Sequence, residues 1–272
     1  MDTIFVINED LLNKIHQKEL EILIEFDKIC KKHGLKYFLF CGTLLGAVRH
    51  NGFIPWDDDL DLVMMRDDYE KLLKLPASEL PPNISIISSK SHKNFPFYYS
   101  KMMNLNTKFV ERSTSKLDIP KGIFIDIFPL DYAPINKYER YIYWKLVSIF
   151  GYIGLIKYIW VKNSSKYEGF ANFISCLVPL PKILFQKGYS SILSRKKKED
   201  LVIFSAWPFD DIDHISYPIE WFHKSIYIKF ENLLFPIPEH YNEILTQLYG
   251  DYMKIPSINE RISGHDIIQF QL

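Results

Sequence analysis

The sequence predicts an α/β protein of the α+β kind, in which a mixed sheet is flanked by helices and interrupted by an aromatic-rich helical insertion. Three observations predict it. The chain opens with one long amphipathic helical pattern, continues as short β-rich runs around a single further helix, and beyond Pro134 becomes apolar and aromatic before ordinary globular composition resumes near Asp210. Runs of strands set beside separate helices, without strict strand–helix alternation, lead to a sheet that need not be parallel.

The elements follow in order. Leu12, Ile15, Ile22, Phe26 and Ile29 recur at helical spacing, Asn8 stands where a cap is wanted, and Lys31-Lys32-His33-Gly34 supplies cations and then a glycine at the far end. The run Tyr37-Phe-Leu-Phe-Cys41 reads as a short buried strand, Gly42-Thr43 as a turn, and 44–48 as a brief helix or extended turn. Further strands are expected at 60–64, 84–88, 97–103, 108–111 and 123–128, with a helix at 67–75 between them. After residue 210, 226–230 reads as a strand and 241–249 as a helix. The shifts in composition divide the chain into a core of 1–133, an apolar helical segment of 134–205, and a part of 206–272 that completes the core domain.

A chain of 272 residues can bury a full core. Its 33 basic and 33 acidic residues cancel, so it lacks the global charge that holds proteins on nucleic acid, and no nucleic-acid partner is expected. Cys30, Cys41 and Cys176 are an odd, widely spaced set in apolar surroundings, which reads as buried thiols in a reducing compartment. The opening Met1-Asp-Thr-Ile-Phe-Val-Ile has neither the basic region nor the long apolar stretch of a secretory signal, so a cytoplasmic location is expected.

The densest chemical signal is Gly52-Phe-Ile-Pro-Trp56-Asp57-Asp58-Asp59-Leu60-Asp61. Were this run extended, Asp57, Asp59 and Asp61 would share one face, with neighbours about 6–7 Å apart and a mutual repulsion of roughly 2–3 kcal/mol per pair. A hard cation such as Mg²⁺ or Mn²⁺ would relieve it. An isolated run of this kind is more often a solvated turn, but here Phe53, Ile54 and Trp56 precede it and Leu62, Val63 and Met64 follow, as at a pocket rim. A calcium loop fails because Leu62 stands where glycine is required and Asp68 where a bidentate glutamate is. Asp126 is a second signal: a lone carboxylate in Ile123-Phe-Ile-Asp126-Ile-Phe-Pro-Leu130 must find a metal, an arginine or several backbone donors. Cys41-Gly42-Thr43 is a third, a small-residue step where backbone N–H groups can approach a phosphate, with Arg49 and His50 near enough to add charge.

Strand, Gly-Thr, a gap of fifteen residues, Asp-x-Asp, and later a hydrophobic-Asp-hydrophobic strand is the order of motifs in the polymerase-β-like nucleotidyltransferase fold. Within that fold the sequence resembles the LicD family of phosphotransferases. The resemblance rests on Gly42-Thr-Leu-Leu-Gly-Ala-Val-Arg-His50, the block from Gly52 to Asp61, Gly122-Ile-Phe-Ile-Asp-Ile-Phe-Pro-Leu-Asp131, and Tyr249-Gly-Asp-Tyr252 followed by Pro256, Arg261 and His265. It implies a mixed nucleotidyltransferase-like sheet and the transfer of a phosphorylated alcohol, phosphocholine above all, from its CDP ester to a sugar hydroxyl of a cell-surface polysaccharide or teichoic acid precursor. It also implies that Asp59 and Asp61 form the metal-binding pair and that Asp126 is the third carboxylate and proton acceptor; Asp57 joins them as a further metal candidate because an extended run puts it on their face. Gly42, Thr43, Arg49 and His50 become candidates for the nucleotide diphosphate, and Trp56, Asp58, Asp131, Arg261 and His265 for substrate contact. Choline, glycerol and ribitol esters all satisfy these motifs. The rival readings are a metal-dependent glycosyltransferase using Asp59-Leu60-Asp61, against which the long opening helix speaks, and a non-catalytic membrane-associated scaffold.

The 21 residues 141–161 are almost all apolar and long enough to cross a bilayer, but Lys145 and Lys157 would lie well inside the segment at a cost of about 2.5–3.5 kcal/mol near the bilayer centre. A second apolar stretch, 170–184, is broken by Pro179 and Pro181. These features fit helices lying in the membrane interface, with Lys187 and Arg195-Lys-Lys-Lys198 meeting anionic headgroups, as on a peripheral enzyme whose sugar acceptor is lipid-linked. The alternative is an all-round apolar helix buried in the core.

Overall fold

The computed structural model describes residues 8–158, 182–193, 200–204, 211–261 and 264–272. Cys176, the proline-broken part of the second apolar stretch and the basic run 195–198 lie outside the described residues.

Helix α1 (Glu9–His33) begins and ends as its sequence predicts. Asn8 is extended and its Oδ1 accepts from the Leu11 N–H at 2.9 Å, a cap worth about 1 kcal/mol; Gly34 ends the helix at φ 63°, where a side chain would be strained. The stripe Ile15, Ile22, Leu23, Phe26 and Ile29 is buried against the sheet.

The main sheet runs β1 (Phe38–Leu39), β2 (Asp61–Met65), β6 (Ile123–Tyr132), β4 (Ser100–Asn104) and β3 (Ile84–Ile87) in spatial order. Only β2 and β6 in it are parallel; the other pairs are antiparallel, so the sheet is mixed. Strand β6 is longer than its apolar run predicts because it serves two sets of neighbours. Residues 123–127 pair with β4, and Leu130–Tyr132 pair with β7 (Leu201–Phe204), which pairs in turn with β8 (Ser216–Pro218). All ten residues of β6 are buried. Strand β5 (Lys108–Glu111) pairs with β11 (Ile267–Gln271), and β9 (Ser225–Phe230) with β10 (Leu233–Pro238). Helix α3 (Arg66–Leu72) follows β2, and α6 (Tyr241–Tyr249) packs against α2 (Cys41–His50).

Two local expectations are corrected. The strand at 37–41 shrinks to two residues, and Gly42-Thr43 is not a turn but lies inside α2, which starts at Cys41 with its φ at +45°. Residues 57–60 are not strand either: β2 begins at Asp61, so alternation cannot set the directions of Asp57 and Asp59. The ladder to the first chain segment begins at Asp61, with the Phe40 N–H donating to the Asp61 carbonyl at 3.0 Å.

Helices α4 (Lys137–Tyr158) and α5 (Lys182–Leu193) pack against each other. Tyr143, Trp144 and Val147 of α4 and Tyr189 and Leu193 of α5 form a second core with Ala133, Ile203, Ile212 and Ile215. The all-round buried helix is thereby excluded for α4, since its other side, including Ile142 and Ile149, is exposed. Among the described residues no helix is long and apolar enough to cross a membrane.

Candidate active site

The site is assembled where the parallel pair begins. In the β2–β6 register Asp61 stands directly opposite Asp126, which places two carboxylates side by side on adjacent strands. The approach to Asp61 is fixed on both sides: its N–H donates to Thr43 Oγ1 at 2.7 Å, and Leu60 ahead of it accepts from the Asp126 N–H at 2.8 Å. Asp58 is the anchor of the 57–60 segment. Its Oδ1 accepts from the Gly264 N–H at 2.9 Å and its Oδ2 from the His265 N–H at 3.3 Å, while His265 Nδ1 lies 3.2 Å from Oδ1. With Asp58 held in the C-terminal segment, Asp59 joins Asp61 and Asp126 in the wall of one pocket of about 420 Å³. Cys41, Tyr99, Phe128 and Phe204 form more of that wall, and Asp211, His214, Ile215, Leu248 and His265 complete it.

Behind the wall runs a line of alternating charge. Asp58 meets His265 Nδ1, His265 Nε2 lies 3.6 Å from Glu111 Oε1, Glu111 Oε2 is 3.7 Å from Lys101 Nζ, and Lys101 Nζ is 3.3 Å from Asp126 Oδ1. Lys101 also sits 3.1 Å from the centre of the Phe124 ring, a cation–π contact. Burial lowers the His265 pKa, but its bond to Asp58 and the charge of Glu111 outweigh that and lift it to about 9. Burial pushes Asp126 up to about 6 against the pull of Lys101, and pushes Asp61 well above the carboxylate range, with Asp59 and Asp126 adding to the rise. Asp59 is also raised by burial, opposed by His265. Asp57 rises to about 8 through burial and the charge of Asp59, to which it is hydrogen-bonded.

A buried set of oxygen donors that repel one another fits a hard divalent ion in chemistry. Asp126 Oδ1 makes no hydrogen bond, its approach to Lys101 being purely electrostatic, so a lone pair there is available. Among the described residues no three carboxylate, imidazole or thiolate side chains are already gathered as a cage, so coordination requires the carboxylates to rotate toward one another.

The other candidates fall into two groups. His265 is in the pocket wall and Asp58 is buried beside it. Asp57 is outside the wall; its carbonyl accepts from His16 Nε2 at 2.7 Å, and its Oδ2 would lie 2.6 Å from a Cβ on Gly42, so Gly42 is the residue that lets α2 pass. Thr43 spends its oxygen on the Asp61 N–H. Arg49 donates to the carbonyl of Tyr252 at 2.8 Å and to His50 Nε2 at 2.9 Å. Trp56 has the Arg261 guanidinium 4.7 Å and that of Arg49 5.9 Å from its ring centre. Asp131 is away from the pocket, in a bidentate pair with Arg66 at 2.6 Å on both arms.

Sequence reading missed Lys101, Glu111 and Glu19. Glu19 is 2% exposed on the inner face of α1, its Oε2 makes no hydrogen bond, and burial together with Asp59, Asp58 and Asp57 raises its pKa well above the usual range. Both Glu19, four residues after Ile15 and three before Ile22, and Lys101, inside an apolar strand, carry the signal that singled out Asp126: one charge in a buried stripe.

Comparison with known proteins joins this geometry to a family. Residues 34–153 match the family model described as the LicD/FKTN/FKRP nucleotidyltransferase domain. The lipopolysaccharide cholinephosphotransferase LicD of Haemophilus influenzae is 29% identical over 269 residues, covering 90% of this chain and 92% of that one. The human ribitol 5-phosphate transferase FKRP is 26% identical over 148 residues, covering 54% of this chain and 24% of that one. An uncharacterized protein of Rickettsia prowazekii is 46% identical over 48 residues, 18% of each chain. The mixed sheet, the carboxylate-lined pocket and these relatives define an enzyme of the phosphotransferase class. The match of residues 34–153 to that family's domain and the similarity of most of the chain to a LicD protein support membership of the LicD family.

Proposed function

We propose that this enzyme transfers a phosphorylated alcohol in glycan biosynthesis, specifically phosphocholine from CDP-choline to a sugar hydroxyl of a cell-surface polysaccharide or teichoic acid precursor. The observation that carries the reading is the meeting of Asp59, Asp61 and Asp126 in one pocket wall, in a chain similar over most of its length to a cholinephosphotransferase. These three residues would hold Mg²⁺ or Mn²⁺, which when bound polarises the donor phosphate and stabilises the charge on departing CMP.

The chain's own groups supply the rest. The N-terminal end of α2 meets the pocket at Cys41, and the backbone N–H of Gly42 there would meet donor phosphate oxygens. Asp126 takes the acceptor hydroxyl's proton as the sugar oxygen bonds to phosphorus and the bond to CMP breaks; its raised pKa suits a base working near neutral pH. Lys101 and His265 hold positive charge beside the carboxylates and keep them from repelling an anionic donor. The acceptor is a lipid-linked sugar presented at the cytoplasmic leaflet.

The test is to incubate the purified protein with CDP-choline, CDP-glycerol, CDP-ribitol and UDP-sugars, with Mg²⁺, with Mn²⁺ and with chelator. Metal-dependent CMP release, highest with CDP-choline, supports the proposal. Release of UDP from a UDP-sugar, with none of CMP, replaces it by the glycosyltransferase reading.

A further inference from the structure

The outward side of α4 carries the wrong chemistry for a face in water. At about 100° per residue, Tyr138, Ile142, Lys145, Leu146, Ile149 and Tyr152 fall together opposite the buried Tyr143, Trp144 and Val147. All six are exposed, Tyr138 at 83% and Ile142 at 61%. A soluble helix turns polar residues outward; this one is apolar on both sides, with a stripe about 21 Å long whose one charge is Lys145. On the neighbouring α5, Leu184 and Lys187 are also exposed.

We propose that this stripe is a docking surface for the headgroup–acyl boundary of an anionic lipid bilayer. Three features select that occupant. Tyrosines stand at both ends of the stripe, where rings with an apolar body and a polar tip suit the interface. None of the six stripe residues is a carboxylate, Glu139 lying just beyond the edge, and Lys145 gives the stripe a cationic character that complements anionic headgroups. A second copy is disfavoured by symmetry: an isologous contact centred on the stripe is centred on residue 145, midway between Tyr138 and Tyr152, and would press Lys145 against its own mate. The surface lies on the bilayer and does not span it, since no described helix is long and apolar enough to cross.

Docking there has a geometric consequence for the catalytic site. Ile215 belongs both to the layer beneath α4 and to the pocket wall, so docking would hold the pocket within about one helix diameter and one residue layer of the membrane surface. A lipid-carried acceptor would then be presented within that distance of it. That last step rests on the proposed function; the docking does not.

The experiment is co-sedimentation of the full chain with phosphatidylcholine vesicles and with mixed phosphatidylcholine–phosphatidylglycerol vesicles, comparing wild type, Ile142→Ser/Ile149→Ser and Lys145→Glu. Wild type should pellet with the anionic vesicles, the double variant should partition about tenfold less or weaker still, and Lys145→Glu should lose several-fold on anionic vesicles alone. Thermal melts check that these exposed substitutions leave the fold intact. Wild-type protein remaining in the supernatant, equal binding to neutral vesicles, undiminished binding of the folded double variant, or a dimer in sedimentation equilibrium that the double variant abolishes would each overturn the proposal.

Discussion

Replacing Lys101 by Met tests the line of charge behind the pocket at the buried cation between two carboxylates. Lys101 is 3% exposed, 3.3 Å from Asp126 and 3.7 Å from Glu111, so its removal leaves two buried carboxylates without their nearest cation. At 3.3 Å and an effective dielectric near 20, the Lys101–Asp126 attraction alone is about 5 kcal/mol, and broken buried pairs lose about 3–5 kcal/mol. For a chain of this size that is a fall in Tm of roughly 6–20 °C. The pH dependence gives a sharper reading. Asp126 already has a folded pKa of about 6, above its unfolded value, so it binds its proton more tightly in the fold and its contribution falls as pH rises through that window. Without Lys101 the folded pKa climbs further, and the loss should be large at pH 8 and much smaller at pH 5. Circular-dichroism melts of metal-free wild type and Lys101→Met at the two pH values measure this. A variant that melts within a degree or two of wild type at pH 8, or that loses equally at both, refutes the reasoning.

Three further outcomes follow from neighbouring contacts. His265 has a folded pKa of about 9, above its unfolded value, so its pairing stabilises fully below about pH 6.5 and is lost as pH rises through 9; Asp58→Asn should flatten that alkaline fall in Tm and lower Tm at pH 7. Thr43→Val strands the Asp61 N–H, and a loss of about 1–3 kcal/mol in urea unfolding is expected, with kcat falling more than the donor KM rises. Glu19→Gln mimics the protonated acid that burial and the aspartates favour, so its Tm should equal or exceed wild type at pH 8; a large drop there would show that the charged form is needed.

How much of this was legible depended on whether the signal was local. The first helix could be read to the residue because Asn8 and Gly34 act through their own backbone neighbours. Asp126 could be singled out because a lone charge in an apolar strand has to be answered. What answered it, Lys101, comes from a strand that pairs through the fold, Glu111 from a strand of a separate small sheet, and His265 from the segment that leads into that sheet's other strand. The face shared by Asp57, Asp59 and Asp61 was expected from strand alternation and is absent, because β2 starts only at Asp61; Asp59 and Asp61 reach the pocket together through the Asp58 anchor instead. Thr43 and Arg49 were read as phosphate ligands from position alone, whereas their polar atoms hold Asp61 and the 252–254 segment.

The central claim is that Asp59, Asp61 and Asp126 act as one metal-holding unit. Its most direct measurement is CMP release from CDP-choline by Asp59→Asn, Asp61→Asn, Asp126→Asn and their double variants, with Mn²⁺ binding followed by titration calorimetry on the same samples. Each folded single variant should lose turnover and Mn²⁺ binding together, and the doubles should be no worse than the singles. A folded single variant that keeps wild-type turnover, or one that loses turnover while binding Mn²⁺ as tightly as before, would contradict it.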